Sequence, residues 1–215
     1  MLDPGAVRER LAAAREQVGD GVEILAATKY VEAADLPALA AAGIALVGEN
    51  RSDALAAKQE LHGDLFTWDF IGHLQSRKAR DVAGRVRLIH ALDSLSAAQR
   101  LHEHGPVDCL LQVNVAGEDS KSGVEAGAVD AFLADLEPLS GIRLRGLMTM
   151  PPLVSDPEQA APWFAALREL RDRLAPAWSG RHELTELSMG TSQDFAVAAR
   201  EGATIVRLGS VLYRE

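Results

Sequence analysis

The chain has 215 residues, 47% of them hydrophobic and 25% charged, with 31 acidic against 22 basic side chains and a formal net charge of −9. That is ordinary usage for a soluble protein with a sizeable core. The acidic balance, with no Lys/Arg-rich tract, argues against nucleic acid or an anionic membrane as a partner.

In chain order, LDPGAVRERLAAAREQVG predicts a helix: Asp3 can cap it, Pro4 suits its first position, and Val7, Leu11, Ala14 and Val18 share one face. Eight strand candidates follow as EILAAT, ALVG, TWDFIG, RVRLIHAL, VDCLLQVNV, RLRGLMTM, ELTELSM and TIVRLG. Helical patterns lie between them over 32–42, 52–61, 75–83, 94–104 and 124–136. Another carries Phe164, Leu167, Leu170 and Leu174 on one face, and the last covers 192–202. Pro162 must either start its helix late or kink it. The alternation has no composition break, which predicts one domain over 1–215 with a parallel sheet. Eight such strands close as a (β/α)8 TIM barrel, an α/β fold whose extra N-terminal helix covers the gap left by a truncated last helix. A doubly wound open sheet would want a glycine fingerprint after the first strand, and ATKYVEAADL has none. The one cysteine, Cys109, sits in an apolar run, so no internal disulfide forms. With no leader-like N-terminus and no membrane-length apolar stretch, the expected location is cytoplasmic.

In a barrel, functional groups gather at the C-terminal strand ends. Those ends offer Lys29, Asn50, the IGHLQSRK loop, Asp93, Asn114 with GEDSKSG, then MTMPP, MGTS and RLGS. The last two segments supply Gly190 and Ser192 at a predicted helix start, and Gly209 and Ser210 before a closing turn. Together they can aim N–H groups and hydroxyls at one dianion. Taken singly, Ser192 reads equally as an N-cap and Gly209 as a turn residue. Lys29, on the same rim, is placed to capture a phosphorylated aldehyde as a Schiff base, and pyridoxal 5′-phosphate (PLP) needs both features. Asn50 reads either as a contact to the cofactor's ring edge or as a cap beside Ser52. Lys121 reads as a second amine at the mouth or as a solvated loop lysine. The six histidines show no metal spacing, and Met148 and Met150 read as core.

The segments LAATKYV, GEN, WDFIGHLQSRK, LLQVNVAGEDSKSGV, LRGLMTM, LSMGTSQDF and VRLGSVLY, in this order along nearly the whole chain, resemble the pyridoxal phosphate homeostasis protein family, relatives of the alanine racemase barrel. The resemblance implies a PLP barrel of fold type III, with Lys29 as the Schiff-base lysine. It puts Ser192, Gly209 and Ser210 on the phosphate and Arg207 near the pyridine nitrogen. The chain departs from the family at Val31, where many members carry a second lysine, and at His73 and Arg77, where proline and asparagine are frequent. The implied function is to hold PLP, buffer it and deliver it, as a monomer, with apo PLP-dependent enzymes and free amino acids as further partners. Racemisation needs two opposed bases. The resemblance implies that the racemases take the second from a tyrosine of an additional domain, whereas here Tyr213 lies in the last turn, so holding without turnover is expected. A PLP-dependent amino-acid racemase of low activity is the competing reading. A sugar-phosphate barrel enzyme using Lys29 as a base is the third.

Overall fold

A computed structural model describes residues 1–118 and 122–213. Helix α1 (Pro4–Val18) begins where the Asp3 carboxylate accepts from the N–H groups of Gly5 and Ala6, and it buries Val7, Ala14 and Val18. Eight strands follow: β1 (Glu23–Ala27), β2 (Leu46–Glu49), β3 (Thr67–Phe70), β4 (Leu88–Leu92), β5 (Val107–Asn114), β6 (Ile142–Met148), β7 (Glu186–Thr191) and β8 (Ile205–Leu208). Each pairs in parallel with the next, and β8 pairs with β1, so the sheet closes on itself as the predicted barrel. Parallel neighbours cannot be joined by tight hairpins, which is why a helix or loop crossover separates every pair.

The crossovers carry α2 (Leu36–Ala41), α3 (Ser52–His62), α4 (Ala79–Val82), α5 (Leu95–His102), α6 (Val129–Leu136), α7 (Ala161–Ala177) and α8 (Phe195–Arg200), and α9 (Ser210–Tyr213) follows β8. Pro162 falls in the first turn of α7, where its missing N–H has no helical partner to lose, so it starts the helix instead of kinking it. The pattern expected as a helix from 124 opens differently. Val124–Glu125 pairs with the end of β5 as a two-residue strand, and α6 starts only at Val129, after Gly127. A β-branched residue beside an open strand edge and a poor helix former nearby explain the late start. The last pattern is also shorter than expected, with α8 beginning at Phe195. Helix α1 packs against α8 and α9, covering the side where the closing helix is a single turn.

Two apolar cores hold these layers. One lies between barrel and helices and includes Leu39, Leu55, Leu133, Phe164 and Leu167. The other contains Leu25, Leu46, Leu88, Leu110, Met148 and Ile205, and residues from six different strands can meet only inside the barrel. Among the described residues no helix is long and apolar enough to cross a membrane.

Candidate functional site

At the exits of β1 and β2 the chain is pinned by a buried carboxylate. Glu49 is 1% exposed. Its Oε2 accepts from Lys58 Nζ at 2.5 Å and Thr28 Oγ1 at 3.2 Å, and its Oε1 accepts from the Asn50 N–H at 2.9 Å. Lys58 also donates to the Thr28 carbonyl at 2.7 Å. A charge this buried is tolerable only when paired and saturated with donors, and the donors it takes fix the residues flanking Lys29 and Asn50. Lys29 is exposed in the turn after β1, its Nζ 4.6 Å from the centre of the Tyr30 ring. Asn50 Oδ1 is buried and has no hydrogen-bond partner among the described residues. The N-cap position of α3 belongs to Arg51, so Asn50 is not a cap, and that reading falls. The exit of β3 presses on it: a Cβ at Gly72 would stand 2.1 Å from the Asn50 carbonyl oxygen, so only glycine lets the two backbones approach this closely.

The exits of β7 and β8 are tied by one hydroxyl. Ser192 Oγ accepts from the N–H groups of Gly209 at 3.0 Å and Val211 at 3.3 Å. Ser192 is therefore not an N-cap. It lies three residues before α8, while the Asp194 carboxylate receives the N–H and hydroxyl of Thr191. Gly190 serves packing, with φ at +91° and a position where a Cβ would stand 2.5 Å from that of Ala198. Ser210 is exposed at the start of α9. A Cβ at Gly209 would only graze that of Ala27, at 3.8 Å, which sets the Ser192–Gly209 knot beside the strand that leads to Lys29.

Arg207 is 6% exposed and reaches the same rim from inside the barrel. Its Nη1 donates to the carbonyl and hydroxyl oxygens of Ser188, and its Nη2 donates to the Thr149 carbonyl at 2.9 Å and to Met150 Sδ at 2.9 Å. Behind it runs a chain of groups that sequence reasoning missed. Ser188 Oγ lies 2.8 Å from His90 Nδ1, and His90 Nε2 lies 3.0 Å from Asp69 Oδ2. Arg87 grips Asp69 with two nitrogens and reaches Glu23 at the opposite end of the barrel. Because the Asp69 carboxylate can only accept, the imidazole proton sits on Nε2 facing it, and the Ser188 hydroxyl donates to Nδ1 while its oxygen accepts from Arg207. Burial pushes the His90 pKa below its usual value against the pull of Asp69, so the ring is neutral at physiological pH. Burial would raise the Asp69 carboxyl, but the hydrogen bonds from His90 and Arg87 outweigh it and leave it lowered. Burial brings Arg207 down to about 10, which still leaves a cation at neutral pH. These residues come from β1, β3, β4 and β7, with Arg87 just before β4, and share no spacing; for those inside the barrel only the inward alternation of each strand could have suggested them.

The other candidates fall outside this constellation. Asp93 pairs with His73 at 3.4 Å, and burial raises its pKa. Asn114 closes its own loop, donating to the Glu118 carbonyl and accepting from the Gly117 N–H. Lys121 lies outside the described residues. Met148 is core as expected, but Met150 is 47% exposed, with its sulfur on Arg207. The Tyr213 hydroxyl is buried without a partner among the described residues, and burial together with Glu49 raises its pKa, so it stays protonated. Among the described residues no group of three or more metal-ligating side chains gathers.

An amine, an unpartnered amide oxygen, a cationic donor, and a hydroxyl with two N–H groups thus stand on the ends of four consecutive strands, β2, β1, β8 and β7. That donor set suits a flat ring bearing an aldehyde, a polar edge, a ring nitrogen and a phosphate.

Comparison with known proteins agrees with the fold. The model of the alanine racemase N-terminal domain matches residues 2–215. The pyridoxal phosphate homeostasis protein of Aquifex aeolicus is 38% identical over 218 residues, covering 97% of this chain and 95% of its own. That of Pseudomonas aeruginosa is 39% identical over 198 residues, covering 89% and 84%. PipY of Synechococcus elongatus PCC7942 is 34% identical. Its structure without PLP superposes with a TM-score of 0.89 over 97% of this chain and 100% of PipY, and its PLP-bound structure with 0.88 over the same shares.

Proposed function

Since the chain belongs to the pyridoxal phosphate homeostasis protein family, built on the alanine racemase N-terminal domain, we propose that it binds PLP at the rim just described and holds it without turning over a substrate. The observation that carries this reading is the convergence of Lys29, Asn50, Arg207 and the Ser192–Gly209 knot on adjacent strand ends. PLP, when bound, supplies an aldehyde that a lysine amine can capture and a ring that withdraws electrons most strongly when its nitrogen is protonated.

Lys29 is the residue that offers the amine. Its exposure lets it reach an incoming aldehyde, while Thr28 behind it is locked by Glu49 and Lys58. Ser192, Ser210 and the N–H groups of Gly209 and Val211 hold the phosphate, and Gly190 lets their loop seat on α8. Asn50 meets the ring edge with the oxygen that lacks a partner in the fold. Arg207 faces the ring nitrogen. As a cation at neutral pH it donates a hydrogen bond and delivers no proton, so the ring remains a weak electron sink. Tyr213 stays protonated and supplies no second base. Holding and releasing PLP, with apo PLP-dependent enzymes as recipients, fits these groups better than racemisation does.

Borohydride treatment of the PLP-loaded protein, followed by peptide mapping, is expected to leave a pyridoxyl group on Lys29, and Lys29→Ala is expected to abolish it. L-alanine is expected to give no D-alanine at enzyme-like rates, of order 1 s⁻¹. A label elsewhere would overturn the site, and sustained D-alanine formation that is lost in Lys29→Ala would overturn the carrier reading.

A further inference from the structure

Arg207 offers its four terminal N–H groups to three oxygens and one sulfur. The oxygens belong to Ser188 and Thr149 in the barrel wall, all buried. The sulfur is the outlier: Met150 is 47% exposed at the mouth, and a thioether is a weak acceptor. Any ring nitrogen that is to be met by Nη2 must displace it. Pro151, which follows, restricts the Met150 backbone to extended conformations.

We propose that Met150 is an oxidation site, and that its conversion to the sulfoxide by a hydroperoxide closes the Arg207 end of the site. The inference rests on the PLP reading above. The sulfur attacks the terminal peroxide oxygen, the O–O bond breaks, and that oxygen stays on sulfur as the sulfoxide. The proton it carried passes to the departing oxygen as water or alcohol, so sulfur loses two electrons and the peroxide gains them. The product replaces a weak acceptor with a polar S=O oxygen, which holds the guanidinium by a charge-assisted hydrogen bond. A ring nitrogen met by Nη2 must then break a strong contact where it formerly displaced a weak one.

Selectivity follows from burial. Of the four methionines, Met148 and Met189 are 2% and 0% exposed, which leaves Met1 and Met150 open to a peroxide. Cys109 is fully buried and burial raises its pKa, so its thiolate does not compete.

The test uses the full chain, freed of PLP, treated with hydrogen peroxide and then split between mass mapping and PLP titration. Met150 is expected to gain oxygen well before Met148 and Met189, with the PLP Kd rising by roughly tenfold. A methionine sulfoxide reductase with a thiol is expected to restore both. Met150→Leu, which removes the acceptor, is expected to bind PLP at least as tightly and to ignore peroxide. Complete oxidation of Met150 with an unchanged Kd, the same Kd shift in Met150→Leu, or Met148 reacting as fast as Met150 would each overturn the proposal. Failure of the PLP reading shows separately, as an absence of binding in the untreated protein.

Discussion

Replacing Ser192 with alanine tests the phosphate end of the site, and its effect can be worked from the contacts. In the free protein the hydroxyl oxygen accepts two N–H groups, from Gly209 and Val211, while its own hydrogen is available to an anion. A hydrogen bond from a hydroxyl to a charged acceptor contributes about 1.5–3 kcal/mol, and alanine loses it. Against that, a phosphate that takes the two N–H groups must first break their bonds to Ser192, and at a half-buried position this costs about 1 kcal/mol. Alanine removes the competition. The net loss is therefore about 0.5–2 kcal/mol, a weakening of PLP binding by roughly 2- to 30-fold. An absorbance titration of the purified variant with PLP measures it, with circular dichroism to show that the barrel is intact. Affinity that stayed the same or improved would refute the reasoning and leave Ser192 as a tie between two loops.

Two further predictions concern the groups beneath the rim. Asp69→Asn should destabilise the protein by about 2–4 kcal/mol in urea unfolding at neutral pH, because it leaves Arg87 and His90 facing a neutral amide. The folded-state pKa of Asp69 is lowered, so its contribution is present above the unfolded value of about 3.9 and lost as pH falls through the folded value. The gap between wild type and variant should accordingly narrow below about pH 4, and a gap that widened there would contradict the pairing. Tyr213→Phe removes a buried hydroxyl that has no partner among the described residues, and should raise stability by about 1 kcal/mol without changing PLP affinity; a loss of stability would mean that the hydroxyl is satisfied after all.

Local pattern was enough for the architecture. Short β-branched runs, helical periodicity and the cap at Asp3 act within a few residues of themselves, so eight strands and their crossovers could be read off the chain, and the number of strands then favoured a closed barrel. The placement of Lys29, Asn50 and Ser192 on one rim followed, because parallel strands put all their C-terminal ends on the same side, while Arg207 was singled out only by the family resemblance. What the sequence left open depended on neighbours distant in the chain. Asn50 could be a cap or an open acceptor, and only the fold leaves its oxygen buried and unpartnered. Ser192 could be a cap or a phosphate contact, and the fold shows two N–H groups from beyond β8 claiming its hydroxyl. Met150 read as core by its alternation with Met148, yet the strand ends at Met148 and the proline-rich turn carries the next methionine out over Arg207. The line from Glu23 through Arg87, Asp69, His90 and Ser188 to Arg207 was the least legible. Its members are brought together by strand register across the barrel, and no local interaction records that a carboxylate on β3 will meet an imidazole on β4.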